Sequence, residues 1–280
     1  MQIERTGIVL SPNNRRVVFR PFEPPGDDRK LRVIARLATL PEAEVEALLK
    51  DVLEEFHGRH QRPREFFLGR FEAVRRHLLT DTPLSENRRL LIGAYFTQEY
   101  ALESAALFNP SIVWHPDQSG LAAGSRRFAL SLRATGEGHI SSVTFRSGTV
   151  DDENKITIDE PTRFVTTPEV VPDAQYEKSL FCRKLVELGL DTRFTEHAMS
   201  VLNQEFTLEQ LEASLHAALR ENRAQHQTLA PIVEGIITLA KSNYQITYLP
   251  EHGLSERLIF PLGPTETNGI EDARFVEFQE

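Results

Sequence analysis

Three separated stretches carry the residues best suited to chemistry. The first is Asn268-Gly269-Ile270-Glu271-Asp272-Ala273-Arg274-Phe275, where two adjacent carboxylates follow a glycine turn and precede a guanidinium. If the chain runs on as a strand, period-two alternation puts Asp272 and Arg274 on one face and Glu271 on the other. A carboxylate so placed can move a proton, and the same pattern also fits an exposed turn with an Asp–Arg ion pair. The second stretch, 108–118, opens Phe108-Asn109-Pro110-Ser111, in which Asn before Pro is by itself a turn signal. The third, 130–148, sets Arg133 inside an apolar alternating run. That placement costs free energy unless a carboxylate or an anionic ligand pairs with the guanidinium, or the side chain reaches solvent.

Weaker patterns favour structural roles. His57 and His60 have a ligand-like i, i+3 spacing, but no third ligand is near in sequence, which favours a solvated helix end over a metal site. Arg59, Arg62, Arg64, Arg70, Arg75 and Arg76 alternate with Phe66, Phe67 and Phe71. They read as a basic solvated face over an aromatic core stripe rather than a nucleic-acid patch. Glu196-His197 has no Ser or Cys nucleophile motif to serve, so a hydrolytic triad is unsupported. Cys182 is the single cysteine, which excludes an intrachain disulfide or a cysteine metal cage and leaves packing as its role.

These stretches must be positioned by their elements. Ile8-Val9-Leu10 and Val17-Val18-Phe19 flank Ser11-Pro12-Asn13-Asn14 and predict a hairpin or an extended arm, ended by Glu23-Pro24-Pro25-Gly26. Residues 28–107 have helical period: one helix opens at Pro41 and runs through Phe56, a second follows Pro63, and a third spans 85–107. At Asn109-Pro110 the period changes, and 128–134, 140–146 and 156–158 read as strands. Helical period returns at about 173–240, with Thr207 and Gln210 fitting a capping box. Strands then resume at 244–249, 257–261 and 273–278. The expected organisation is α+β, with an N-terminal arm and helical module at 1–106 and a β domain at 107–280 that carries the helical insertion.

The composition can build a core. Of 280 residues, 40% are hydrophobic and 26% charged, which excludes wholesale disorder or a fibrous repeat. The net charge of −9 gives no general attraction for nucleic acid, and every apolar run is too short to cross a bilayer. Residues 1–5 lead into polar sequence rather than an apolar signal region, so the expected location is cytoplasmic, with neither nucleic acid nor membrane as partner.

Taken in order with the arm before them, the three stretches resemble segments of glycoside hydrolase family 130, the β-mannoside phosphorylases and related hydrolases. The resemblance is closest to the longer branch with helical additions. It implies a five-bladed β-propeller, here incomplete, because 107–170 and 243–280 hold only about half the strand sequence that five four-stranded blades need. It implies that Asp272, in Gly-x-Glu-Asp-x-Arg, is the catalytic acid, and that Asn109 and Arg133 contact the sugar next to the scissile bond. Ala273 departs from the proline common at that motif position. The implied activity is inverting phosphorolysis of β-mannooligosaccharides or mannosides to mannose 1-phosphate, or their hydrolysis. Inorganic phosphate would be the co-substrate of a phosphorylase, with no cofactor and no metal. In the family the basic residues that grip phosphate lie mostly beyond the acid, and eight residues follow Asp272, so the expectation is an N-terminal part lacking them. The rival expectation is a catalytically incomplete chain whose helices serve interaction or homo-oligomerisation.

Overall fold

Val17 and Val18 pair with a segment far along the chain, not with the apolar run that precedes them. In the computed structural model, which describes residues 5–78 and 82–277, β1 (Val17–Pro21) lies antiparallel to β2 (Thr97–Ala101). Of the two expectations, the hairpin with residues 8–10 is corrected, and the extended arm with a turn is what the structure has. The intervening turn is anchored elsewhere, with Asn13 N donating to Glu103 Oε2 at 2.9 Å.

Between β1 and β2 stand α1 (Asp27–Thr39), α2 (Glu42–Phe56), α3 (Pro63–Val74) and α4 (Glu86–Tyr95). Pro63 sits in the first turn of α3, where its missing N–H costs nothing, and Ser85 caps α4 by accepting from Arg88 N. Leu37, Val45, Phe67, Leu90 and Leu91 close the module's core. The helix expected over 85–107 ends at Tyr95. Tyr100 and Leu102, which extended the helical pattern, are buried at strand spacing instead, because β1 supplies a ladder for Thr97–Ala101.

The chain continues through β3 (Ala106–Trp114), β4 (Arg126–Thr135), β5 (Ser141–Val150) and β6 (Ile156–Ile158), an antiparallel succession. It then enters β7 (Glu169–Val170), β8 (Tyr176–Glu177), α5 (Lys178–Glu187), α6 (Arg193–Ser200), β9 (Glu205–Phe206), α7 (Leu208–Glu221), α8 (His226–Ser242) and β10 (Ile246–Thr247). It returns with β11 (Leu258–Ile259), which pairs with β5 at Thr144 and Val143, on the edge where β6 pairs at residues 148–150. The expected strands at 244–249 and 257–261 thus shrink to two residues each. Residues 273–277 are not a strand, and Phe278 lies outside the described residues.

Two units result. One comprises the chain to Thr167, Glu251–Phe260 and the segment from Ile270; the other comprises Pro168–Pro250 and Pro261–Gly269. The expected division at 106/107 falls inside the first unit, where a buried ion cluster joins Arg16 and Glu103 to Arg146 of β5. In that cluster Glu103 Oε1 lies 3.1 Å from Arg16 Nε and 2.8 Å from Arg146 Nη2, and all three side chains are shielded from solvent. Burial, and then the neighbouring Arg146 charge, pull the Arg16 pKa down to about 10. Arg16 also donates to Thr162 O and Ser255 O, so one guanidinium ties the arm to two later segments.

In the second unit Phe181, Leu185, Phe206, Leu211, Leu215 and Ile236 form the core, with Cys182 packed against it. Both bonds of the Thr207–Gln210 capping box are present. The chain is a mixed α+β protein with antiparallel sheets. Among the described residues no helix is long and apolar enough to cross a membrane.

Candidate functional site

The β3–β4 ladder pairs Phe108 with Arg133 and then Ser111 with Ser131, and its register shifts between Phe108 and Ser111. Pro110 has no N–H to give the ladder, so the strand bulges there and re-aims Asn109, whose φ of 51° is left-handed. Asn109 Nδ2 then donates to Asp272 Oδ1.

Arg133 is the centre of the arrangement. Its register partner Phe108 puts an aromatic ring 4.9 Å from the guanidinium carbon, a cation–π contact. Its Nε donates to Ser141 Oγ at 2.9 Å, its Nη2 donates to Glu271 Oε1 at 2.5 Å, and its Nη1 lies 3.6 Å from Asp272 Oδ1. The carboxylate partner that an arginine in this strand requires is thus supplied twice. The Arg133 side chain is 19% exposed and the two carboxylates 54% each, so the cation forms the floor and the acids face solvent.

The expectation that Glu271 and Asp272 point to opposite faces is corrected. Asp272 has φ 48°, which breaks strand alternation and lets adjacent carboxylates reach one guanidinium. The segment is fastened at both ends: Ile270 N donates to Ser141 O at 2.9 Å, and Phe275 N to Ser111 Oγ at 3.2 Å. Phe275 also packs edge-on against Phe145, with ring centroids 5.9 Å apart, and Arg274 Nη1 reaches Asn109 O at 3.4 Å. Chemically, the site offers a half-exposed carboxyl with one oxygen held by an amide, beside a cation on an aromatic floor. A carboxyl open to solvent in this way can exchange a proton with a bound ligand.

The three residues singled out in sequence, Asn109, Arg133 and Asp272, therefore meet at one place. Sequence reading passed over Phe108, Ser111 and Ser141, which build its floor and walls. Phe108 and Ser111 were visible as the neighbours of Asn109-Pro110, whereas Ser141 carried no signal because its place depends on β4–β5 register.

His60 and Arg59 serve packing. His60 Nε2 lies 2.7 Å from Glu99 Oε1, and its ring stacks on Phe19 with centroids 3.5 Å apart. Burial holds the His60 pKa below its ordinary value, opposed by the bond to Glu99. Arg59 forks onto Glu99 at 2.9 and 3.2 Å. Among the described residues no group of three or more His, Cys, Asp or Glu is arranged to hold a metal ion.

No protein-family model matches this chain, and neither does any of the curated proteins or solved structures with which it was compared.

Proposed function

We propose that this chain acts on β-mannosides, with Asp272 as proton donor and Asn109 and Arg133 holding the sugar next to the scissile bond. The observation that supports this most directly is the meeting of Asn109, Arg133 and Asp272 from three separated segments, with Asn109 bonded to Asp272 and Arg133 within 3.6 Å of it. The antiparallel sheet of β3, β4 and β5, with β6 and β11 sharing its last edge, has the width of one propeller blade. We read it as part of an incomplete five-bladed propeller.

In phosphorolysis a phosphate oxygen forms the new bond to the anomeric carbon as the glycosidic C–O bond breaks. The Asp272 proton passes through a sugar hydroxyl to the leaving oxygen. One carboxyl suffices, because phosphate takes the place of the water and general base of an inverting glycosidase. In hydrolysis a water attacks instead, losing a proton to bulk solvent as its oxygen bonds to the anomeric carbon, and mannose is the product.

The test is incubation of the full chain with a panel of β-mannooligosaccharides, with and without inorganic phosphate. The expected product is mannose 1-phosphate or mannose, lost in Asp272→Asn. A chain that neither turns over nor binds any member of the panel overturns the reading.

A second reading, that the helices form an interaction or oligomerisation module, draws on Leu180, Val186, Leu188 and Val201, apolar side chains exposed on the second unit. Sedimentation of the wild type against Leu188→Lys and Val201→Lys separates a self-associating chain from a monomer.

A further inference from the structure

A pocket of about 810 Å³ opens on the helical module where α3 ends and α4 begins. Its polar wall carries three guanidiniums. Arg75 and Arg76 come from the 3₁₀ turn (Arg75–His77) that follows α3, and Arg89 from the first turn of α4. Glu72 is the acid among the lining residues, and its Oε2 lies 3.5 Å from Arg75 Nη1, with both side chains largely exposed. Arg76 Nε donates at 3.4 Å to a His77 ring nitrogen, not to a carboxylate. Arg89 Nε is buried without a hydrogen-bond partner among the described residues. Among the described lining residues there are therefore two more cations than anions, and one donor has been taken from water with no partner among them.

Elsewhere in the basic run the guanidiniums face carboxylates, although Arg70 Nη2 is also buried without a hydrogen bond and lies 3.6 Å from Glu23 Oε1. Arg59 is paired with Glu99, Arg64 with Glu86, and Arg70 with Glu23. The positive potential is thus concentrated at the pocket and does not extend as the stripe a nucleic-acid backbone would need. Several guanidinium forks lining one pocket match a tetrahedral oxyanion, which accepts several N–H bonds at once, better than a single carboxylate. The volume admits a small organic molecule as well as a bare ion.

We propose that Arg75, Arg76 and Arg89 form a binding site for phosphate, either inorganic or the headgroup of a small phosphate monoester. None of its residues belongs to the Asn109–Arg133–Asp272 constellation, and the site does not depend on the mannoside reading.

The test is calorimetric titration of the full chain with inorganic phosphate and, separately, with glycerol phosphate, against chloride at matched ionic strength. Saturable binding of one phosphate at the pocket is expected, about tenfold or more weaker in Arg76→Gln and in Arg89→Gln. It is expected to tighten in Glu72→Gln, which removes the opposing carboxylate, and to be unchanged in Arg133→Ala. Tighter binding of glycerol phosphate than of inorganic phosphate assigns the site to monoesters; the reverse assigns it to the free ion. Circular dichroism confirms that each variant is folded, and Arg76→Gln, at an exposed position, keeps the test valid if Arg89→Gln does not fold. Absence of saturable binding at about tens of millimolar phosphate overturns the proposal. So does binding that survives Arg76→Gln and Arg89→Gln but is lost in Arg133→Ala, which would place the phosphate at the candidate mannoside site.

Discussion

Asn109 and Asp272 stand 163 positions apart and are joined by a side-chain hydrogen bond, with both residues in left-handed backbone at φ 51° and 48°. Asn and Asp tolerate that region better than most residues, because a short polar side chain can bond locally. Each is fixed by its own device, the β3 bulge for Asn109 and the Ile270–Ser141 and Phe275–Ser111 bonds for Asp272.

Arg133→Met separates function from stability. Its two carboxylate partners are half exposed, so solvent screens the ion pairs, and the loss is expected to be about 1 kcal/mol or less. Mannoside binding is expected to disappear. Urea denaturation and calorimetric titration on the same preparation check both halves; a variant that unfolds, or one that still binds, contradicts the account.

Glu103→Gln is expected to be far more damaging. Arg16 and Arg146 would be left buried without their shared anion, a loss of about 3–5 kcal/mol. Replacing all three with apolar residues of similar volume should recover much of that. The measurement is the urea midpoint of the single and triple variants; equal midpoints for Glu103→Gln and wild type would remove the cluster's structural role.

His60 should make stability depend on pH. Burial keeps its folded pKa below the ordinary 6.5, so as pH falls through 6.5 the unfolded chain takes up the proton first and is favoured. The stability is fully present above 6.5 and is lost as pH drops through the lower folded value. His60→Phe keeps the stack on Phe19 and removes the titration. Comparing urea midpoints of the two proteins from about pH 7.5 to 5 should show the wild type losing more below 6.5; parallel curves would show that His60 does not carry the effect.

Gly93→Ala tests the closeness of α3 and α4. A Cβ at Gly93 would lie 1.8 Å from Phe67 O, a backbone atom that cannot step aside without moving α3. The gain in helix propensity, about 1 kcal/mol, is expected to be outweighed by the overpacking, so thermal denaturation should show a lower midpoint. A raised midpoint would mean that the helices yield freely.

Local signals made much of this protein legible. Pro63 marked the start of α3, Thr207 and Gln210 marked the start of α7, and alternation marked β4 and β5, because caps and periodicity act within a few residues. Asn109, Arg133 and Asp272 were also nameable from their own short stretches. The tertiary structure decided everything that depends on a distant partner. Thr97–Ala101 is a strand because β1 pairs with it, and Glu103 is buried because Arg16 and Arg146 arrive to neutralise it. Glu271 and Asp272 share Arg133 because the backbone at Asp272 turns left-handed, against the alternation their spacing implied. The sequence by itself determined which residues could do chemistry and which short stretches would carry them. Whether those residues meet was settled by strand register and by ion pairs between remote segments, which no local pattern encodes.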